Sequence, residues 1–325
     1  MSIRPFDWRD LPALHRYRKQ SVFLNNAMLL TRGPLLIAGS MLSSVAPAVG
    51  IFTSVSTDNG DIRHSLIGQI IHTSGSQVAL LTFLSPEEAM ESPALPDLLE
   101  HLSAQTIERG ALRLLAEVSE GSTAYEALRR ATFAVYTRQR IWRIDNNPAS
   151  LQTALPWQVA TDQDLIQVRS LHNNIVPGLV QQVEPFSEER LHGMVYRHKG
   201  EIVAFVELKY GHKGIYAQPF IYPDAEGLVP ELMGWLRHVP NRRSRPVYVC
   251  VRSYNAWLES ALEDVAAQEG PRQAVMVKHL AMPQKALRNY VIPTLESGHP
   301  EATVPMVNSG VAHSRVVQTD HNGYL

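Results

Sequence analysis

The chain has one cysteine in 325 residues, Cys250. An internal disulfide and a cysteine-built zinc cluster are therefore excluded, which fits a reducing compartment and leads to an expected cytoplasmic location. An excess of charge of one sign is also lacking, since 30 Lys and Arg stand against 31 Asp and Glu. No whole-chain field draws in nucleic acid or an anionic membrane, and neither is expected as a partner. There is no glycine-rich phosphate loop and no Gly-x-Ser-x-Gly elbow, which speaks against P-loop, dinucleotide-binding and α/β-hydrolase chemistry. His192 and His198 are wrongly spaced for one helical face, and no carboxylates complete them, so no metal is expected.

The first residues, Met1 to Asp7, carry no apolar core behind their charges and do not read as a signal peptide. Residues 33–57 are uncharged, but Pro34, Gly39, Pro47 and Gly50 make them a poor helix for lipid. They read instead as a buried helix-to-strand region. Cys250 sits in the apolar run Val247-Tyr248-Val249-Cys250-Val251, where a packing role outweighs a nucleophilic one.

What is present is an order of elements that occurs twice. Phe83-Leu84-Ser85-Pro86 and Phe220-Ile221-Tyr222-Pro223 each close an apolar run, and each is followed by an acidic turn and a Leu-rich helical stretch. In the first half a strand from Ser2 to Phe6 precedes a helix from Trp8 to about Gln20 that Asp7 can cap. Strands at Ser65–His72 and Gln77–Leu84 form a hairpin around Thr73-Ser74-Gly75-Ser76. A helix opened by Ser92-Pro93 turns Leu95, Leu98, Leu99 and Leu102 inward and stops at Gly110. A strand at Leu112–Val118, a helix at Ser122–Arg130 and a strand at Phe133–Ile144 follow.

The second half repeats the plan. A strand at Trp157–Ala160 precedes a helix from Asp162 to about His172. Ile202–Val206 and Gly214–Phe220 form a hairpin, followed by a helix at Leu228–His238. A strand at Val247–Val251, a helix from Tyr254 to about Gln268 and a strand at Gln273–Met282 complete the unit. Asp10-Leu11 and Asp164-Leu165 fall at equivalent places. The tail beyond about Leu287 has no period and reads as disordered.

Strand, helix, antiparallel strands, helix, strand, helix, strand resembles the GNAT superfamily of acetyl-CoA-dependent N-acyltransferases. The likeness is better in the first half, where Leu112–Val118 and the helix Ser122–Arg130 before Phe133 look like the family's closing strand and helix. The resemblance implies an α+β fold of two tandem GNAT-like domains, residues 1–148 and 154–285. Each is a mostly antiparallel mixed sheet flanked by helices, and residues 286–325 form a flexible tail. Two joined modules imply two separate, superposable sheets. A single continuous sheet would contradict them.

The resemblance also implies a site. In the family a basic residue and two small residues at the turn before the central helix let backbone amides and the helix N-terminus grip a pyrophosphate. At that register the first half has Ala89 in the basic place and Ser92 and Ala94 in the small ones, with Pro93 removing an amide between them. Glu87, Glu88 and Glu91 reverse the charge, which would oppose a dianion by about 1 kcal/mol each if partly exposed. The second half has Glu226 in the basic place and Val229 and Glu231 in the small ones, with only Gly227 in agreement. An ordinary helix start with an acidic first turn explains both stretches.

The family's tyrosine acid is replaced by Leu128 in the first half and Leu262 in the second. Tyr125, one helical turn earlier than Leu128, and Tyr254 could stand in, or could simply belong to the core rim. Glu117, at its strand end, could serve as base or be a solvated strand-end carboxylate. Arg237, Arg242, Arg243 and Arg245, with Lys213, form a local basic patch that reads first as a solvated helix C-terminus and second as a nucleotide contact.

Two functions are expected from this. The first is an acetyl-CoA-dependent N-acyltransferase acting on a small-molecule amine, with acetyl-CoA held by Leu84, Ser85, Ser92 and Ala94 and with Glu117 and Tyr125 as base and acid. On this reading Ala94→Glu abolishes cofactor binding without unfolding the chain. The second is a catalytically inactive tandem that binds a protein partner or a small ligand.

Overall fold

The computed structural model describes residues 2–33, 50–58, 61–145, 156–186 and 191–280. The chain opens with β1 (Ser2–Pro5), a 3-10 turn (Trp8–Asp10) and α1 (Leu11–Tyr17). Asp7 caps that turn, its side chain accepting from the Trp8 amide. The Asp10 carboxylate in return accepts from the Asp7 amide at 2.8 Å and pairs with Arg4 at 2.6 Å. The second half repeats this device. After β8 (Trp157–Val159), Asp164 accepts from the Thr161 amide at 2.8 Å and pairs with Arg197, at the head of α5 (Leu165–Ile175). The equivalence of Asp10 and Asp164 read from the sequence is thus a shared capping box.

The first half continues with β2 (Val22–Phe23), α2 (Asn26–Arg32), β3 (Ile51–Asp58), β4 (Asp61–His72) and β5 (Val78–Ser85). A 3-10 turn (Glu87–Glu91), α3 (Ala94–Ile107), β6 (Arg113–Ser119), α4 (Thr123–Arg130) and β7 (Ala134–Ile144) follow. Leu95, Leu98, Leu99 and Leu102 of α3 are all buried, the inward stripe expected of them. In the second half α6 (Gly178–Val183), β9 (Gly193–His198), β10 (Glu201–Tyr210) and β11 (Ile215–Ile221) lead through a 3-10 turn to α7 (Val229–Arg237). β12 (Val247–Arg252), α8 (Leu258–Asp264) and β13 (Gln268–His279) complete it. The two hairpins, both central helices and the first closing strand fall where the sequence puts them, while the second closing strand, expected at Gln273–Met282, runs from Gln268 to His279. β2, α2, α6 and β9 are additions, and the helix expected to run to Gln268 stops at Asp264, where a turn with Ala266 left-handed (φ 55°) leads to β13 at Gln268.

Each half is a mixed α+β unit of the GNAT-like order, with one parallel strand pair at its centre: β5 with β6, and β11 with β12. The expectation of two separate sheets fails, while the element order of two tandem GNAT-like units stands. The described strands form one 13-stranded sheet, ordered β1-β3-β4-β5-β6-β13-β7-β12-β11-β10-β9-β8, with β2 paired to β5 off this path. The cause is an exchange of closing strands. β13 lies between β6 and β7 of the first half, and β7 lies between β12 and β13 of the second. At the crossing Gln139 and Gln273 lie directly opposite each other.

Short helices are exchanged as well. α2 packs Ala27 and Leu30 against Ile141, Tyr216, Tyr248 and Cys250 of the central and second-half strands, and α6 packs Val183 against Leu115 and Val277. Gly211 follows from this close fit. A Cβ there would stand 2.2 Å from the Thr31 carbonyl oxygen, while the nearby Lys213 amide donates to that same oxygen at 3.0 Å. Residues Met1–Met282 form one compact unit. The tail expected to be flexible lies outside the described residues, as do residues 34–49 of the uncharged stretch. Among the described residues no helix is long and apolar enough to cross a membrane.

Candidate functional site

The cleft that the GNAT resemblance assigns to a thioester lies where the parallel pair diverges. In the first half β5 and β6 pair only over Val78–Leu80 and Arg113–Leu115, after which the two strands part. A bulge at Thr82 turns its carbonyl toward the opening, since Phe83 pairs with Gln69 and Leu81 with Ile70. The chain's own segment fills that opening. Val22 and Phe23 pair with Leu84 and Phe83. The Leu24 amide donates to the Thr82 carbonyl at 2.8 Å, and the Leu24 carbonyl accepts from the Glu117 amide at 2.8 Å. Leu24 spans both walls and is only 1% exposed.

The residues expected to hold a cofactor are engaged in the same way. Leu84 and Ser85 are fully buried, and the Ser85 hydroxyl lies 3.0 Å from the Ser21 hydroxyl and 3.3 Å from the Tyr17 carbonyl. The Gln20 carbonyl accepts from the Glu87 amide at 2.7 Å. The Ser92 hydroxyl accepts from the Ala94 amide at 3.2 Å, and Ala94 packs into the first-half core. A 3-10 turn with Glu87 and Glu88 at its start separates Ser85 from α3. Ala94→Glu would place a carboxylate in that core, so the expectation that it leaves the fold intact does not match this burial.

Glu117 and Tyr125 are not brought together. Ala116 and Val118 face the core under α3 and α4, so Glu117 between them points to the opposite face of the sheet. Its carboxylate accepts from the Asn26 backbone amide at 2.7 Å and from Asn26 Nδ2 at 2.8 Å, holding the start of α2. Tyr125 packs against the core on the other face, with the Arg129 guanidinium 5.9 Å from its ring centroid. The basic patch resolves in part into a local scaffold: Arg242 donates to the carbonyls of Leu236, Arg237, Ile144 and Arg245.

The second-half cleft between β11 and β12 has a different stopper. Ile215, Ala217 and Pro219 share the edge of β11 that faces β12, and Pro219 has no amide hydrogen to offer there. Its carbonyl already accepts from Asn255 Nδ2 at 2.9 Å.

A gathering of ionisable groups lies elsewhere, on the face covered by α2 and α6. A small cavity of about 90 Å³ is lined by Glu117, Tyr136, Glu184, Lys209, Gln218 and Arg252, among others. A larger one of about 390 Å³ shares Glu184, Lys209 and Gln218 with it and adds His172, Val180, Phe205, Glu207, Phe220 and Tyr254. Arg252 Nη2 donates to Glu184 at 3.2 Å, the Tyr136 hydroxyl donates to the same carboxylate, and Lys209 lies 3.3 Å from Glu207. Burial opposes the Arg252 charge, but Glu184 and neighbouring groups hold its pKa well above the usual value. Burial raises the Tyr136 and Tyr254 phenols, and burial lowers His172, which favours its neutral form.

From Glu117 a chain of amides crosses the sheet. Asn26 and Gln273 exchange hydrogen bonds at 2.9 and 3.2 Å, Gln139 donates to Gln273 at 3.0 Å, and the Cys250 thiol points to Gln139 at 3.4 Å. Burial pushes the Cys250 thiol up to about 11, so it stays protonated near neutrality. Iodoacetamide at pH 8 will therefore leave Cys250 unmodified in the native chain and label it only in denaturant, as mass spectrometry will show.

Sequence reasoning missed this chamber because its residues come from both halves. The one signal was Arg252, a charge set directly after an unbroken apolar strand. Among the described residues no cluster of three His, Cys, Asp or Glu is placed to hold a metal.

No family model and no curated protein matches the chain. Solved structures resemble it. A GNAT-family acetyltransferase from Colwellia psychrerythraea matches at 15% identity and TM-score 0.44, over 86% of this chain and 100% of its own. A GCN5-related N-acetyltransferase from Sphaerobacter thermophilus matches at 12% and 0.48, over 86% and 95%. A tandem GNAT protein from the clavulanic acid biosynthesis pathway matches at 12% and 0.47, over 86% and 98%.

Proposed function

We propose that the chain is a tandem GNAT-like binding module that does not use acetyl-CoA, and that its ligand site is the chamber beneath α2 and α6. The observation that carries this reading is the Leu24 backbone, hydrogen-bonded to Thr82 on one wall and Glu117 on the other. A pantetheine arm would need the same groups and the same space. In the second half the carbonyl equivalent to that of Thr82, on Pro219, is already taken by Asn255, and Pro219 offers no amide hydrogen beside it. The carboxylates in the first-half turn add like charge where a pyrophosphate would sit.

On this reading Leu84, Ser85, Ser92 and Ala94 are structural, Glu117 anchors α2, and Tyr125 is a core-rim residue. The transferase alternative, with acetyl-CoA as cofactor and a small amine as acceptor, requires the segment 21–24 to leave its cleft. Calorimetric titration of acetyl-CoA into the full chain decides between them. No heat is expected up to millimolar cofactor, and saturable micromolar binding would contradict the proposal.

A further inference from the structure

Arg252 closes β12 with a side chain only 5% exposed. One of its nitrogens meets Glu184, but Nε and Nη1 have no partner among the described residues. Charged donors buried without acceptors are costly, so two on one guanidinium mark a place where an acceptor belongs. A carboxylate oxygen can meet either of them, though Nε and Nη1 lie on opposite sides of Cδ and do not share one carboxylate as a fork.

The surrounding charges narrow the choice. Glu117, Glu184 and Glu207 line the two cavities, which share Glu184, Lys209 and Gln218, and Lys209 and Arg252 stand against them. A simple anion would deepen that excess, whereas a group carrying a cation as well would not. On the far side of the shared residues Glu184, Lys209 and Gln218 the larger cavity offers Val180, Phe205 and Phe220 as an apolar wall, beside His172, Glu207 and Tyr254. Resting on the binding-module reading above, we infer that the chamber takes an apolar α-amino acid as its zwitterion. Its carboxylate sits on Arg252, its ammonium lies beside Glu117, and its side chain extends into the larger cavity.

The test uses the full chain, with L-phenylalanine and L-leucine as probes and phenylacetate and phenethylamine as analogues lacking one charge each. Both amino acids should raise the melting temperature at millimolar concentration and give saturable heats. Each analogue should bind at least roughly tenfold more weakly than phenylalanine. Arg252→Lys keeps the positive charge but not the Nε and Nη1 donors, and should weaken phenylalanine binding by a similar factor. If that variant folds poorly by circular dichroism, the double variant E184Q/R252Q, which leaves neither charge alone, should fold and lose binding. Failure of both amino acids to bind would overturn the inference, as would unchanged affinity in Arg252→Lys or phenethylamine binding as tightly as phenylalanine. Acetyl-CoA titrated in parallel separates the two claims, because its binding would defeat the underlying reading whatever the amino acids do.

Discussion

Expressed alone, the first 145 residues will not form a stable monomer. The sequence suggests a self-sufficient unit there, but the strand between β6 and β7 comes from residues Gln268–His279. Without it Gln139 loses its partner Gln273, and the facing edges of β6 and β7 are left unpaired. Val275, Met276 and Val277 of β13 are at most 3% exposed. Burying each contributes about 1.5–3 kcal/mol. Their combined loss is comparable to the ~5–15 kcal/mol net stability of a whole domain. The expected outcome is aggregation, or a dimer that exchanges β7 with a second copy, seen by sedimentation. A soluble, cooperatively melting monomer would show that the exchange is dispensable.

Leu24→Ala will be among the most destabilising single truncations in the first half. Leu24 sits in the divergence of β5 and β6, in contact with the core under α3. Its neighbours are strands tied down on their other edges, so the hole cannot readily collapse. A cost of ~2–5 kcal/mol is expected. Urea denaturation should show this as a fall in midpoint at unchanged slope. Leu179→Ala, at a position 60% exposed, provides the comparison and should change stability by no more than about 0.5 kcal/mol. Equal effects of the two changes would mean that Leu24 does not seal the cleft.

The contrast between these residues shows what the sequence could and could not reveal. The α3 stripe Leu95, Leu98, Leu99 and Leu102 follows a helical period, and the hairpin around Gly75 follows strand alternation with a turn. Both are local patterns, and both lie where they were read. The shared capping boxes at Asp10 and Asp164 are local too. By contrast, β2 is only two residues long and its pairing with Phe83 and Leu84 spans some sixty positions. Nothing in the Val22-Phe23-Leu24 triplet says which cleft it enters.

The strand exchange was hidden for a related reason. β7 and β13 have the composition of closing strands in either arrangement, and the partner of a strand is a tertiary choice that composition does not encode. Glu117 is a candidate base by its strand-end position, and Tyr125 a candidate acid by its place one helical turn before Leu128. The alternation of side chains along β6 then sends Glu117 to the face opposite Tyr125. The chamber at Arg252 draws on β6, β7, β10, β11 and β12 together, so only the folded sheet brings its charges side by side.

The central claim, that the chain seals its own first-half cleft, is tested most directly by amide hydrogen exchange at Leu24 and Glu117, with and without excess acetyl-CoA. Both amides should exchange as slowly as those in the core strand β5, with no change when the cofactor is added. Rapid exchange at these two positions, or loss of their protection when acetyl-CoA is present, would show that the segment leaves and the cleft opens.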